Sequence, residues 1–266
     1  MNIHSHTQTN RTISVVIKNI IYGRNIFCPR CHSYRVISRQ RRHYCGKCRR
    51  RFSLFSHKWL ANTKLSLPSL WQIIWCFVYA VPVKQAQAIT ELSEKTVRHW
   101  FDLCRNQLIQ LDTKLKGTIQ VDEVYLGGWG GKAIIAAKEV ETKEIRFYLC
   151  LRHEVYATDV YEFFNKYIAY GSTILTDSSP LYPRICRMFL CIHKRDIHAK
   201  FEFHLTSEIE GLFGNLRTFI RRMYHHIEVD NFPEYLMEFQ YRFSRKKYFN
   251  SVEQFLLNTL KVVPTG

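Results

Sequence analysis

The spacing of apolar positions along this 266-residue chain changes character twice. Before residue 67 one element is read from the pattern. The alternating stretch 34–38, from Tyr34 to Ser38, predicts a single strand. From residue 67 the period becomes helical. An apolar helix is expected over 70–79, opened by Pro68 or Ser69 and stopped by Pro82. A short helix follows over 84–90. Ser93, an N-cap residue, then opens a longer helix over 94–108 whose stripe is Val97, Trp100, Phe101, Cys104 and Leu108. After Gly117 the period falls to two. Strands are expected over 118–122, 132–140 and 145–151, the first two joined by the glycine-rich loop 127–131. A helix over 158–169, a strand over 172–176, another helix, a short strand over 190–193 and a helix beginning near Ser207 complete the pattern. Three strands, helix, strand, helix, strand, helix predicts an α/β layer arrangement.

The longest apolar run, 73–81, is nine residues, far short of the ~20 that span a bilayer, so no membrane partner is expected. No charged n-region, apolar h-region and cleavage site open the chain. An intracellular protein is expected, cytoplasmic and nucleoid-associated in a bacterium or nuclear in a eukaryote. At 46% hydrophobic and 14% aromatic residues, the chain has ample material for a core, which excludes wholesale disorder.

Charge separates the two parts further. The net charge is +17, and no Asp or Glu precedes Glu91, although 15 of the 39 Lys and Arg residues lie there. Beyond that point 24 basic residues face 22 acidic ones. A basic module joined to a nearly neutral one points to a polyanionic partner, and double-stranded DNA is the one expected.

Four of the nine cysteines form two tight pairs, Cys28-Pro-Arg-Cys31 and Cys45-Gly-Lys-Cys48, separated by thirteen residues. Each pair presents two thiolates at one turn, and two such turns supply four sulfurs for a structural zinc ion. Cationic residues crowd this ribbon. Arg41, Arg42, Arg49, Arg50 and Arg51 are its candidate DNA contacts. Cys76, Cys104, Cys150, Cys186 and Cys191 sit in apolar surroundings and read as core. The helices that follow, with a tight turn at 91–93, read as a helix-turn-helix in which Lys95, Thr96, Arg98 and His99 face the major groove.

In the neutral part, Asp122 and Asp177 each sit at the end of a predicted strand, while Glu208 and Glu210 lie at the start of a later helix. Carboxylates that converge from neighbouring strand ends and a helix bind hard divalent cations, and a pair of such ions suits phosphodiester chemistry. Glu208 and Glu210 point about 200° apart on a helix, so only one of them faces such a site.

The runs Asp122-Glu-Val-Tyr-Leu-Gly-Gly128, Thr176-Asp177 and Ile209-Glu210-Gly-Leu-Phe213, with Arg217, resemble the DDE transposases of a zinc-ribbon insertion-sequence group related to the eukaryotic Merlin transposons. The run from Tyr235 to Phe243, with Glu238, Phe239 and Arg242, resembles the closing helix of that group. The resemblance implies an α/β, RNase H-like catalytic domain preceded by a zinc ribbon and a helix-turn-helix. The corresponding boundaries are an N-terminal arm 1–24, ribbon 25–58, helix-turn-helix 66–115, catalytic domain 116–247 and C-terminal tail 248–266. It also implies catalytic, metal-holding acids at Asp122, Asp177 and Glu210, with Mg²⁺ or Mn²⁺ as the ion. His198 would stand near the site and Arg217 on DNA. The resemblance further implies a homo-oligomer on paired element ends, acting on those ends and on target DNA. Where relatives carry His-Thr-Asn or His-Thr-Gln before the third acid, this chain reads Leu205-Thr206-Ser207, and Glu208 stands as the alternative third acid. Two other functions fit the same residues: a non-catalytic zinc-ribbon DNA-binding protein, and a metal-dependent nuclease that cuts without joining.

Overall fold

A computed structural model describes residues 10–39, 42–109, 111–125, 132–150, 152–177, 179–195, 207–225, 227 and 231–260. The chain divides into two units, Met1–Gln107 with Lys247–Gly266, and Leu108–Lys246. The expected arm 1–24 contains a helix, α1 (Asn10–Tyr22), whose Ile13, Ile17 and Ile21 are buried. A three-stranded antiparallel sheet follows: β1 (Val36–Arg39), β2 (Arg42–Cys45) and β3 (Arg51–Ser53). The sequence predicted one strand here. The second cysteine pair in fact sits between two further short strands, and the ladder continues from β1 through β2 to β3.

Three helices complete this stretch: α2 (Leu67–Val78), α3 (Val83–Thr90) and α4 (Glu94–Arg105). α2 starts earlier than its apolar core because the Ser66 hydroxyl accepts the Ser69 N–H and Pro68 occupies the first turn, where its missing donor costs nothing. Ser93 caps α4 as the sequence suggests, accepting the Thr96 N–H at 3.3 Å. The turn between α3 and α4 passes through Glu91 at φ 57°, the left-handed position usually given to glycine.

In the second unit, β4 (Thr118–Tyr125), β5 (Ala133–Glu139) and β6 (Ile145–Leu149) form an antiparallel meander. After α5 (Ala157–Tyr167), β7 (Thr173–Thr176) pairs in parallel with β4; after α6 (Tyr182–Met188), β8 (Ile192–Arg195) pairs in parallel with β7. The sheet order is β6-β5-β4-β7-β8, a mixed α/β arrangement. β8 begins two residues later than predicted because Leu190 adopts φ 55° just after α6, which takes it out of the extended conformation. Alternation assigns the faces. Ile119 and Val121 join Ile135, Ala137 and Ile174 in a core with Phe163, Phe164 and Tyr167 of α5 and Tyr182, Ile185 and Cys186 of α6. Gln120, Asp122 and Val124 occupy the other face, against which α7 (Ser207–Tyr224) packs.

α8 (Phe232–Ser244) is locked to α7 by a buried carboxylate. Glu238, fully buried, accepts the Tyr224 hydroxyl at 2.6 Å and the Arg242 Nε–H at 2.8 Å. The chain then returns to the first unit: within the expected tail, α9 (Val252–Leu260) packs on α1 and α2, with the Phe77 and Phe255 rings 5.7 Å apart.

Removing one partner of a buried ion pair leaves the other charge uncompensated. Glu238→Ala is therefore expected to lower the unfolding free energy of the second unit by about 3 to 5 kcal/mol. Glu238→Gln, which keeps an acceptor for Tyr224, should cost less. Urea unfolding followed by circular dichroism checks both.

Candidate active site and metal centre

The two cysteine pairs fold as equivalent knuckles. In each, the residue after the second cysteine turns back through positive φ, His32 at 55° and Arg49 at 58°. Each then donates its N–H at 2.9 Å to the carbonyl of the first cysteine, Cys28 or Cys45. This aims both sulfurs of a pair to the same side. The Cys28 and Cys48 Sγ atoms lie 3.6 Å apart, as do those of Cys31 and Cys45, and all four fall within 4.8 Å of one another. A tetrahedron with Zn–S bonds of about 2.3 Å has edges of about 3.8 Å, so the cage fits zinc. The Cys48 N–H reaches the Cys45 sulfur at 3.5 Å, and such hydrogen bonds pull that thiol down to about 6, toward the thiolate a metal needs. Four sulfurs leave no open position, which marks a structural site. Elsewhere, Cys76, Cys104, Cys150 and Cys186 are buried and Cys191 half-buried, and burial pushes the Cys76, Cys150 and Cys186 thiols up to about 12.

Asp122 does not end its strand. β4 runs on to Tyr125 because its ladder with β5 continues to the pair Tyr125↔Ala133. The parallel ladder with β7 stops earlier, at Gln120↔Leu175. Two residues on from that last pair stand Asp122 on β4 and Asp177 just past β7, so alternation puts both on the α7 face. The Asp122 Oδ1 accepts the Glu123 N–H at 2.8 Å, and the Asp177 Oδ1 accepts the Ser179 N–H at 2.9 Å. Asp177 is further braced from behind. The Thr176 hydroxyl gives its one proton to the Asp177 carbonyl at 2.8 Å, so the contact with His193 Nε2 at 2.9 Å must be donated by the histidine. Burial, with Arg195 nearby, lowers the His193 pKa and keeps its ring neutral.

Glu123 faces the opposite side of the sheet. Burial, and after it the charges of Asp122 and Asp177, pushes its carboxyl up to about 7. The fully buried Tyr182 hydroxyl lies beside it without a well-formed hydrogen bond.

Gln120, two residues before Asp122 and on its face, is the positioning residue that the sequence reading missed. Its Oε1 accepts the Ile209 N–H at 3.0 Å and docks the first turn of α7 on β4. In the sequence Gln120 falls on the polar side of the alternation Thr118-Ile-Gln-Val-Asp122, so nothing there marks it as buried. On that first turn Glu210 is exposed. Glu208, the alternative acid, is held by Lys138 at 2.5 Å and Lys143 at 3.0 Å, and the Lys138 hydrogen bond chiefly keeps its carboxyl below the ordinary value. The oxygens of Asp122, Asp177 and Glu210 do not all lie within 4.8 Å of one another; among the described residues only the four cysteines form so close a group. As a donor set, the three acids offer oxygen alone, which suits a hard divalent cation.

Arg42, Arg49, Arg50 and Arg51 are exposed, as are Lys95, His99 and Arg217. Thr96 and Arg98 are half-buried and already engaged. The Thr96 hydroxyl contacts the capping Ser93 at 2.9 Å, and Arg98 pairs with Glu94 at 2.8 Å. Arg41, His198 and the loop 127–131 lie outside the described residues.

Residues 114–244 match the family model of the ISXO2-like transposase domain. This segment belongs to that family. No curated protein matches the chain. Among solved structures, the chain is similar to one in the cryoEM structure of the simian T-cell lymphotropic virus intasome in complex with PP2A regulatory subunit B56 gamma. That likeness has 9% identity and a TM-score of 0.37, covering 64% of this chain and 67% of the other.

Chelating zinc from the intact protein should expose four thiols to a thiol reagent. It should also lower the melting temperature of the first unit while leaving that of the second; calorimetry with thiol counting checks this. The unfolded His193 ring takes up a proton near pH 6.5 and the folded ring resists it, so this group lowers stability as pH falls through that value, while Glu123, whose carboxyl is pushed up to about 7 in the fold, takes up its proton before the unfolded carboxyl does and raises it. His193→Gln should therefore leave the second unit gaining more stability than the parent between pH 7 and 5, in melts recorded over that range.

Proposed function

We propose that this protein is a DNA transposase that binds the terminal repeats of its element and catalyses metal-dependent cleavage and strand transfer. The observation that carries this reading is the placement of Asp122 and Asp177 on one face of adjacent parallel strands, inside a segment of the ISXO2-like transposase domain family. Three antiparallel strands followed by two parallel ones reached through helices support an RNase H-like catalytic domain.

In this reading Asp122 and Asp177 hold Mg²⁺ or Mn²⁺, and Glu210 completes the set from α7. When bound, such ions activate a water or hydroxyl nucleophile and stabilise the leaving oxygen of a phosphodiester. The protein's own part is positional. Gln120 fixes the start of α7, His193 and Thr176 brace the backbone at Asp177, and the lysine pair keeps Glu208 turned to its own partners. Arg217, exposed seven residues beyond Glu210 on the same helix face, is placed for a DNA phosphate. The first unit supplies DNA affinity through its zinc-held ribbon, with Arg41, Arg42, Arg49, Arg50 and Arg51, and through Lys95, Thr96, Arg98 and His99 of the helix-turn-helix α3–α4. A homo-oligomer on paired ends fits the need to join both ends at one target.

The test uses the DNA flanking the gene, incubated with the protein, Mg²⁺ or Mn²⁺ and a supercoiled target plasmid. Cleavage at the ends with joined products is expected. Asp122→Asn, Asp177→Asn and Glu210→Gln should each lower it by more than about 100-fold, beyond the loss typical of outer-shell partners. Glu208→Gln should retain it, because that carboxylate serves Lys138 and Lys143. Cuts without joining would make the protein a nuclease, and specific binding without metal-dependent chemistry would make it a DNA-binding protein alone.

A further inference from the structure

The three-stranded sheet of the first unit uses one face for its own packing and leaves the other in water. His43, Cys45 and Phe52 are buried on the inner face. There the His43 and Phe52 rings stand 5.2 Å apart, and the Ser38 hydroxyl bonds His43 Nδ1 at 2.9 Å. The outer face carries a row across all three strands, Ile37↔Tyr44↔Arg51, with Arg42↔Ser53 beside it. All five residues are exposed, Ile37 at 56% and Tyr44 at 37%. Two large apolar side chains held side by side in water add nothing to the ribbon's core, and leaving them there costs free energy that burial against a partner would recover.

We infer that this outer face is a duplex-DNA contact surface, in which Arg42 and Arg51 hold backbone phosphates while Ile37 and Tyr44 pack against sugars and base edges. The inference rests on the DNA-binding reading above and assigns it to one face and two uncharged side chains. Charge complementarity selects the occupant. The apolar pair is flanked by arginines, and the first 90 residues contain no Asp or Glu. A second copy of the same face would bring arginine against arginine. Contacts of the two kinds differ in salt response. Phosphate neutralisation releases counterions and steepens the dependence of affinity on salt, whereas apolar contact does not.

The experiment measures anisotropy of a labelled duplex carrying one end of the DNA that flanks the gene, and of a scrambled duplex, with the full-length zinc-loaded protein from about 50 to 200 mM salt. Ile37→Thr with Tyr44→Thr, which keeps β-forming residues, should weaken binding about tenfold at every salt concentration with the slope unchanged. Arg42→Gln with Arg51→Gln should lower the slope of log K against log salt by about 0.9 for each arginine. Zinc content and melting temperature equal to those of the parent protein show that each variant is folded. Conservative Tyr44→Phe should bind nearly as the parent does. If the threonine variant, with full zinc, binds like the parent while the parent binds DNA, the face assignment falls and the DNA reading stands. If the parent binds neither duplex, both fall. Tighter binding of either single strand than of the duplex would overturn the assignment to duplex DNA.

Discussion

The parallel ladder between β4 and β7 is short, three registered pairs from Thr118↔Thr173 to Gln120↔Leu175, and the candidate active site depends on where it stops. Because β4 stays paired with β5 for five more residues, it cannot curl away at that point. β7 is free to leave the sheet one residue after Thr176. Asp122 is thereby held on a rigid strand while Asp177 sits at the beginning of a turn beside it. A slip of one residue in this register would send one carboxylate into the α5–α6 core, where burial disfavours its charge. Glu123 shows that penalty directly. It is one position from Asp122, faces the other side, and its carboxyl is pushed up to about 7.

α7 is fixed to the same ladder through Gln120 at one end and to α8 through Glu238 at the other. Two polar anchors of different kinds thus set the height and rotation of the helix that carries Glu210. The first is a neutral amide taking one backbone N–H. The second is a buried charge satisfied by a tyrosine and an arginine. Apolar contacts along Ile209, Leu212, Leu216 and Ile220 supply the adhesion between them. The division of labour is typical of sites that must hold charge: apolar burial provides the stability, and a few hydrogen bonds choose the register.

Much of this was legible in the sequence because it is local. The spacing of Cys28, Cys31, Cys45 and Cys48, the cap at Ser93 and the change of period near Gly117 each arise within a few residues of chain. What escaped is non-local or small. The strand at 118–122 was expected to end at Asp122, because nothing within it reveals that Ala133 will pair with Tyr125. β2 and β3 are too short and too polar to carry a period. α1 did carry one, Ile13, Ile17 and Ile21 at intervals of four, as did α9, but a helix's partner more than 200 residues away is not written in its spacing. The ion pairs of Glu208 with Lys138 and Lys143 join residues far apart in the chain, since both lysines arrive from the β5 hairpin.

The return of α9 to α1 and α2 makes the first unit discontinuous, with the whole second unit threaded between its two segments. Synthesis runs from the N-terminus at roughly 5 to 20 residues per second. The basic part that carries the four clustered cysteines therefore leaves the ribosome before the second unit but cannot close until α9 arrives, after every strand of the mixed sheet has been made. An early stop codon a few residues before Val252 would leave the mixed-sheet unit whole and deprive the cysteine-bearing unit of the helix that packs on α1 and α2.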